Sequence, residues 1–159
     1  MVRAFFTAGL VSCAAFIASA MMSHAAPIAT RRQLGNLECN IDRGEIVFHV
    51  ADLGKTVSSL AKASDLQAAN NTANGNLQAM QDGVQGASAA INGILLGLIS
   101  NQPADPALRD AVGGNLTEIL TGLQDLSSSN NKTNALLTKA NQQLTNAVLA
   151  GNGVVNNCK

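Results

Sequence analysis

Tryptophan and tyrosine are absent from this chain, and phenylalanine occurs four times in 159 residues. Phe5, Phe6 and Phe16 lie near the N-terminus, so Phe48 is the one aromatic ring beyond it apart from histidine. Any core must be built from Ala, Leu, Val and Ile. Proline is confined to Pro27, Pro103 and Pro106, which leaves long stretches uninterrupted. Few aromatic and β-branched residues, with abundant Ala and Leu, favour helix over strand. Fourteen glycines argue the other way, at about 1 kcal/mol each against Ala in a helix interior. Periodicity has to decide between them.

Charge is also scarce: 13% of residues are charged, and the formal net charge is zero. Beyond His24 near the start, His49 is the lone histidine, and the ten carboxylates are scattered. Nucleophilic triads, zinc sites and metal–carboxylate clusters need several such groups converging. No cofactor and no metal site is therefore expected, and the chain does not read as an enzyme. Asp42 and Glu45 stand at helical spacing near a helix start, where they complement the helix dipole. Gly113-Gly114 lacks the lysine and flanking strand of a phosphate-cradling loop.

At the N-terminus, Arg3 is followed by an uncharged, mostly apolar run from Ala4 to Ala18, then by Ala18-Ser19-Ala20 and Ser23-His24-Ala25. This is the pattern of a secretory signal peptide, with cleavage expected after Ala25. A retained anchor is the alternative, but the run falls short of the ~20 residues that span a bilayer. No transmembrane segment is expected after cleavage. Arg31-Arg32 is either a second processing site or an exposed pair on a flexible arm. If both cuts occur, seven basic and ten acidic residues remain, a net charge of −3. Little is then left to hold nucleic acid by phosphate neutralisation. The C-terminal Asn156-Asn157-Cys158-Lys159 carries no apolar lipid-anchor tail. The expected destination is extracellular or the cell wall. The expected division is a signal peptide at 1–25, a flexible processed arm at 26–36, and one helical domain at 37–159.

Advancing 100° per residue separates four amphipathic segments. In the last, 130–157, Leu136, Leu137, Ala140, Leu144, Ala147, Val148, Gly151, Val154, Val155 and Cys158 share one arc, and Ser129 or Asn130 can cap the start. In the third, 106–126, Leu108, Val112, Leu116, Ile119, Leu120, Leu123 and Leu126 share a face. Asp105-Pro106 is its start signal. The second, 65–100, carries an unbroken heptad stripe from Ala73 through Ile91 and Ile94 to Leu98. A single helix over that span would be ~54 Å long and would overhang its neighbours. A bend or break is expected near Asn74-Gly75-Asn76. In the first, 37–63, Ile46, Val50, Leu53, Val57 and Leu60 share a face with Cys39, while Ile41 and Phe48 point away. Short linkers between such helices predict an all-α, antiparallel up-down four-helix bundle with a long second helix.

Cys13 belongs to the signal segment, which leaves Cys39 and Cys158. An even pair in a secreted domain reads as a disulfide. An even number of antiparallel helices places both chain ends at one end of the bundle. Both cysteines also lie on the apolar arcs of their helices. The crosslink is thus expected to tie the chain ends together, offsetting a core short of aromatic area.

Asn70-Asn71-Thr72, Asn115-Leu116-Thr117 and Asn131-Lys132-Thr133 are glycosylation sequons. Asn70 and Asn131 are the candidates, since Asn115 lies at the edge of an apolar arc. The residues Ile91, Ile94, Leu95, Leu96, Leu98 and Ile99 surround the end of the second helix almost completely. Burial against three neighbours would account for them, and so would an apolar patch or a lipid-sized cavity. Candidate contact residues are Ile41, Phe48, Ile91, Leu95, Leu96 and Ile99. The run 91–99 is expected at the end of the bundle away from the crosslink.

The signal segment, Arg31-Arg32, the stretch Leu37-Glu38-Cys39-Asn40-Ile41, the Ala/Asn/Gly-rich helices and the closing Gly151-Asn152-Gly153-Val154-Val155-Asn156-Asn157-Cys158 together resemble small secreted helical proteins of filamentous fungi. The nearest group they resemble is the hydrophobic surface-binding and cell-wall galactomannoprotein family. That resemblance implies adsorption to apolar surfaces, or binding of fatty-acid-like ligands between helices. The expected function is non-enzymatic contact with apolar surfaces or lipids. The rival expectation is a protein-interaction module, an effector or enzyme inhibitor, whose partner is an extracellular protein.

Overall fold

In the computed structural model, residues 36–69, 71–100 and 102–158 are described. The signal segment, Arg31-Arg32 and Asn70 lie outside the described residues. Five helices follow one another: α1 (Leu37–Leu60), α2 (Ser64–Gln67), α3 (Asn71–Ile99), α4 (Pro106–Gln124) and α5 (Asn131–Asn157). No strand occurs among the described residues, so the fold is all-α.

Each long helix whose start is described begins where a side chain satisfies the exposed backbone donors of its first turn. Asn36 accepts from the amides of Glu38 and Cys39 at the head of α1. Asn36 had been expected to close the flexible arm, but here it serves as the helix cap. Asp105 accepts from the Ala107 amide at 2.9 Å, with Pro106 at the first helical position. Asn130 accepts from the Lys132 amide at 2.9 Å.

The second segment is divided, in keeping with the bend or break expected there, but not at Asn74-Gly75-Asn76. The division falls after the single turn of α2, and residues 74–76 lie inside α3. Tertiary bonds fix that turn. The hydroxyls of Ser128 and Thr133 both donate to the Asp65 carboxylate. Leu66 is fully buried in the core, and Gln67 Nε2 donates to the Ala61 carbonyl at 2.7 Å. Asn74 Nδ2 reaches back to the Gln67 carbonyl at 3.3 Å, bridging the break.

The core draws on every helix. Leu53, Leu60, Leu66, Met80 and Ile119 are the largest side chains wholly inside it. Glycine allows the close approach. A Cβ at Gly122 would stand 2.6 Å from Met80 Cγ, and one at Gly83 would stand 3.0 Å from the Asn115 carbonyl oxygen. These contacts also give direction. Met80 meets Gly122, Gly83 meets Ile119, and Gly93 meets Leu108, so α3 and α4 run antiparallel. Asp42 meets Gly153 and Ile46 meets Gly151, which makes α1 and α5 antiparallel too. Further packing joins α1 to α3 and α4 to α5.

Cys39 and Cys158 form the expected disulfide, with Cα atoms 5.0 Å apart across 119 residues of sequence. Cys39 is fully buried. Hydrogen bonds reinforce the junction: Asn36 Nδ2 donates to the Asn157 carbonyl and Asn157 Nδ2 to Asp42 Oδ2, both at 2.8 Å.

Candidate functional site

The heptad stripe of α3 is well buried through Ile91 and then loses its cover. Ile94, Leu95 and Leu98 are half-buried, while Leu96 and Ile99 are 66% and 83% exposed. α3 is long and apolar enough to cross a membrane by length and composition, and only 22% of its most apolar 18-residue window is buried. The helix end is therefore not enclosed by its neighbours.

What lies beside it is an apolar cavity of about 580 Å³. α1 contributes Ile46 and Val47, and α3 contributes Ile91, Ile94, Leu95 and Leu98. Val112, Leu116 and Leu120 line it from α4, and Leu144, Val148 and Val154 from α5. The volume falls within the range of small-molecule sites. A shallower recess continues from it between Asn40, Gly44 and Val47 of α1 and Leu95, Leu98 and Ile99 of α3.

The cavity lies at the crosslinked end of the molecule, which corrects the expectation that 91–99 lies at the far end. Its α1 wall begins one turn after Cys39, and its α5 wall ends three residues before Cys158. The last turns of α3 meet the first turns of α1 because the chain has crossed the molecule and returned.

No family model, curated protein or solved structure matches this chain. The site must be read from its own chemistry.

Of the six expected contact residues, the cavity unites Ile91 and Leu95, and the adjoining recess adds Ile99. Ile41, Phe48 and Leu96 are exposed and stand outside both. Phe48 makes an edge contact with the His49 ring at 5.4 Å between centroids. Leu120, Val148 and Val155 had been assigned to core faces, yet each is at least 41% exposed. All three line the cavity, because the apolar arcs continue where the helices no longer meet. Their surplus over what a closed core needs was the signal available in the sequence.

Two cations, Arg43 of α1 and Arg109 of α4, also line the cavity, and the sequence reading singled out neither. Partial burial, and then the like charge of Arg109, hold Arg43 below the usual guanidinium value. It stays charged at any physiological pH.

Among the described residues, no group of three or more His, Cys, Asp or Glu side chains is placed to hold a metal. Asn131 is exposed at the first position of α5. Asn115 is half-buried, and its Nδ2 donates to the Ala111 carbonyl at 2.6 Å.

Proposed function

We propose that this chain is a non-enzymatic, secreted or cell-wall-associated protein that takes lipid-like ligands into the cavity between its helices and contacts apolar surfaces. The observation that carries the reading is the cavity itself: about 580 Å³, lined chiefly by aliphatic side chains from all four long helices. A core built for stability alone would close over such groups, since each methylene left in water forgoes about 0.8 kcal/mol. The signal-like N-terminus and the disulfide support an oxidising, extracellular destination. In this reading the four long helices form an antiparallel up-down bundle, with α2 as a one-turn connector. The compositional likeness to fungal hydrophobic surface-binding proteins agrees with the proposed role.

The test is a titration of the secreted protein with Nile red, a neutral apolar dye. Saturable, blue-shifted emission is expected. Leu98→Trp should abolish it by filling the cavity, while Phe48→Asp should leave it intact. Absence of binding, or binding insensitive to Leu98→Trp, would overturn the cavity reading.

A second reading draws on Phe48 and Leu96, 60% and 66% exposed outside the cavity. These residues suit adsorption to an apolar surface or contact with an extracellular protein. If they serve adsorption, Phe48→Asp with Leu96→Asp releases the protein from hydrophobic beads without changing dye uptake.

A further inference from the structure

The long helices pack most closely in two pairs, α1 with α5 and α3 with α4, and packing between the pairs is sparser. The close approaches at glycine follow the same division. Gly83 and Gly86 meet Asn115, Gly93 meets Leu108 and Gly122 meets Met80, all between α3 and α4. Gly151 and Gly153 meet Ile46 and Asp42, between α5 and α1. Across the pairs, Gly54 meets Val84. The covalent links divide by end. At the crosslinked end each link stays within a pair: the disulfide ties α1 to α5, and residues 100–105 tie α3 to α4. At the other end both connections run between the pairs, 61–70 from α1 to α3 and 125–130 from α4 to α5. The Asp65 carboxylate fastens these two connections to each other, accepting from Ser128 and from Thr133 just beyond it. Leu60, Leu66 and Met80 are fully buried toward that end. The cavity occupies the opposite end and takes its walls from both pairs, Ile46 and Val148 from one and Leu95 and Leu120 from the other.

Two bodies joined at one end and hollow between them at the other part most readily by rotation about the joined end, where a few connecting residues absorb the change. We propose that the two helix pairs move as rigid jaws about a hinge formed by 61–70 and 125–130, and that the cavity loads and empties as they part at the crosslinked end. The disulfide lies within one jaw, so it stiffens that jaw and does not hold the mouth shut. The proposal rests on the cavity reading above for what passes through the mouth, whereas the hinge is a property of the free protein.

Distances between paired spin labels on introduced cysteines read the motion. Ile41→Cys with Leu96→Cys spans the two jaws, at exposed positions outside the cavity lining. Phe48→Cys with Asn156→Cys stays within one jaw, and Leu96→Cys with Asp110→Cys within the other. In the free protein the cross-jaw distribution should be broader than both within-jaw distributions, and Nile red should narrow it alone. A cross-jaw distribution as narrow as the other two would overturn the hinge. Breadth within a jaw instead would overturn the choice of pairs. A short bismaleimide bridging the cross-jaw cysteines should slow Nile red release about tenfold, while the same bridge within a jaw leaves it unchanged. Equal release rates would overturn the gating role. Should the added thiols disturb the native disulfide, relaxation dispersion on the unaltered chain takes their place. Microsecond-to-millisecond exchange is expected at the connectors and along the cavity wall, and its absence there would equally overturn the hinge. If Nile red does not bind the native protein, the cavity reading falls, and the width of the cross-jaw distribution still decides the hinge.

Discussion

At the scale of single residues, glycine has two opposite meanings in this chain. Gly75 sits in α3 with no side chain or foreign backbone within 4 Å of where a Cβ would be. Gly83 and Gly122 instead sit where α3 and α4 touch. At Gly83 a methyl would press on Ile119 Cγ1 at 2.9 Å and on the Asn115 carbonyl, and neither can easily retreat. Gly83→Ala should therefore destabilise the fold by about 1–3 kcal/mol. Gly75→Ala should stabilise it by up to about 1 kcal/mol. Urea unfolding of the two variants checks both signs together. From sequence the fourteen glycines counted equally against helix. Telling a contact glycine from an open one needs the neighbouring helix, which lies about forty residues away in the chain.

At the scale of elements, the cap Asp105 was legible, and Asn130 as one of two candidates with Ser129, because a cap is decided by its own next few residues. The break before α3 was not. Expecting it at Asn74-Gly75-Asn76 relied on local propensity, about 1 kcal/mol for the glycine. The division after Gln67 answers instead to bonds from Ser128 and Thr133 to Asp65, more than sixty residues distant. The Ser128 hydroxyl is the largest influence holding the Asp65 carboxyl below its ordinary value; partial desolvation opposes it, and the Thr133 hydroxyl adds to the lowering. A carboxyl with a depressed folded-state pKa contributes stability that is complete above its unfolded value of about 3.9. That contribution is lost as pH falls through the lower folded value. Asp65→Asn should lower the melting temperature at neutral pH, and it should flatten the decline in stability below about pH 4. An unchanged acid profile in thermal melts would remove Asp65 from that role.

At the scale of the whole molecule, the disulfide and the cavity share one end, and that end was half legible. An expected even helix count and helical phase together pointed to the Cys39–Cys158 bond that forms. Residues of 91–99 lie beside the first turns of α1, near the crosslink, but they had been expected at the other end. The cavity itself could not be read, because phase shows which side chains face inward and not whether the helices close upon them. Leu120, Val148 and Val155 look like core by phase and become cavity wall only where the helices part. The crosslink closes a loop of 119 residues, worth about 4–5 kcal/mol in the chain-entropy account. Reduction by dithiothreitol should lower unfolding stability by about 2–5 kcal/mol, measured by urea denaturation. It should also weaken Nile red binding before the helices melt, because α1 and α5 are tied where the cavity opens.

The central claim is that the aliphatic side chains at the crosslinked end hold a ligand. A nitrogen–proton correlation spectrum of the secreted protein, recorded during titration with dodecanol, tests this most directly. Saturable shifts are expected along 43–47, 91–98, 109–120 and 144–155, with the amides around Asp65 and Ser128 unmoved. A spectrum that does not change, or shifts confined to the surroundings of Phe48 and Leu96, would contradict it.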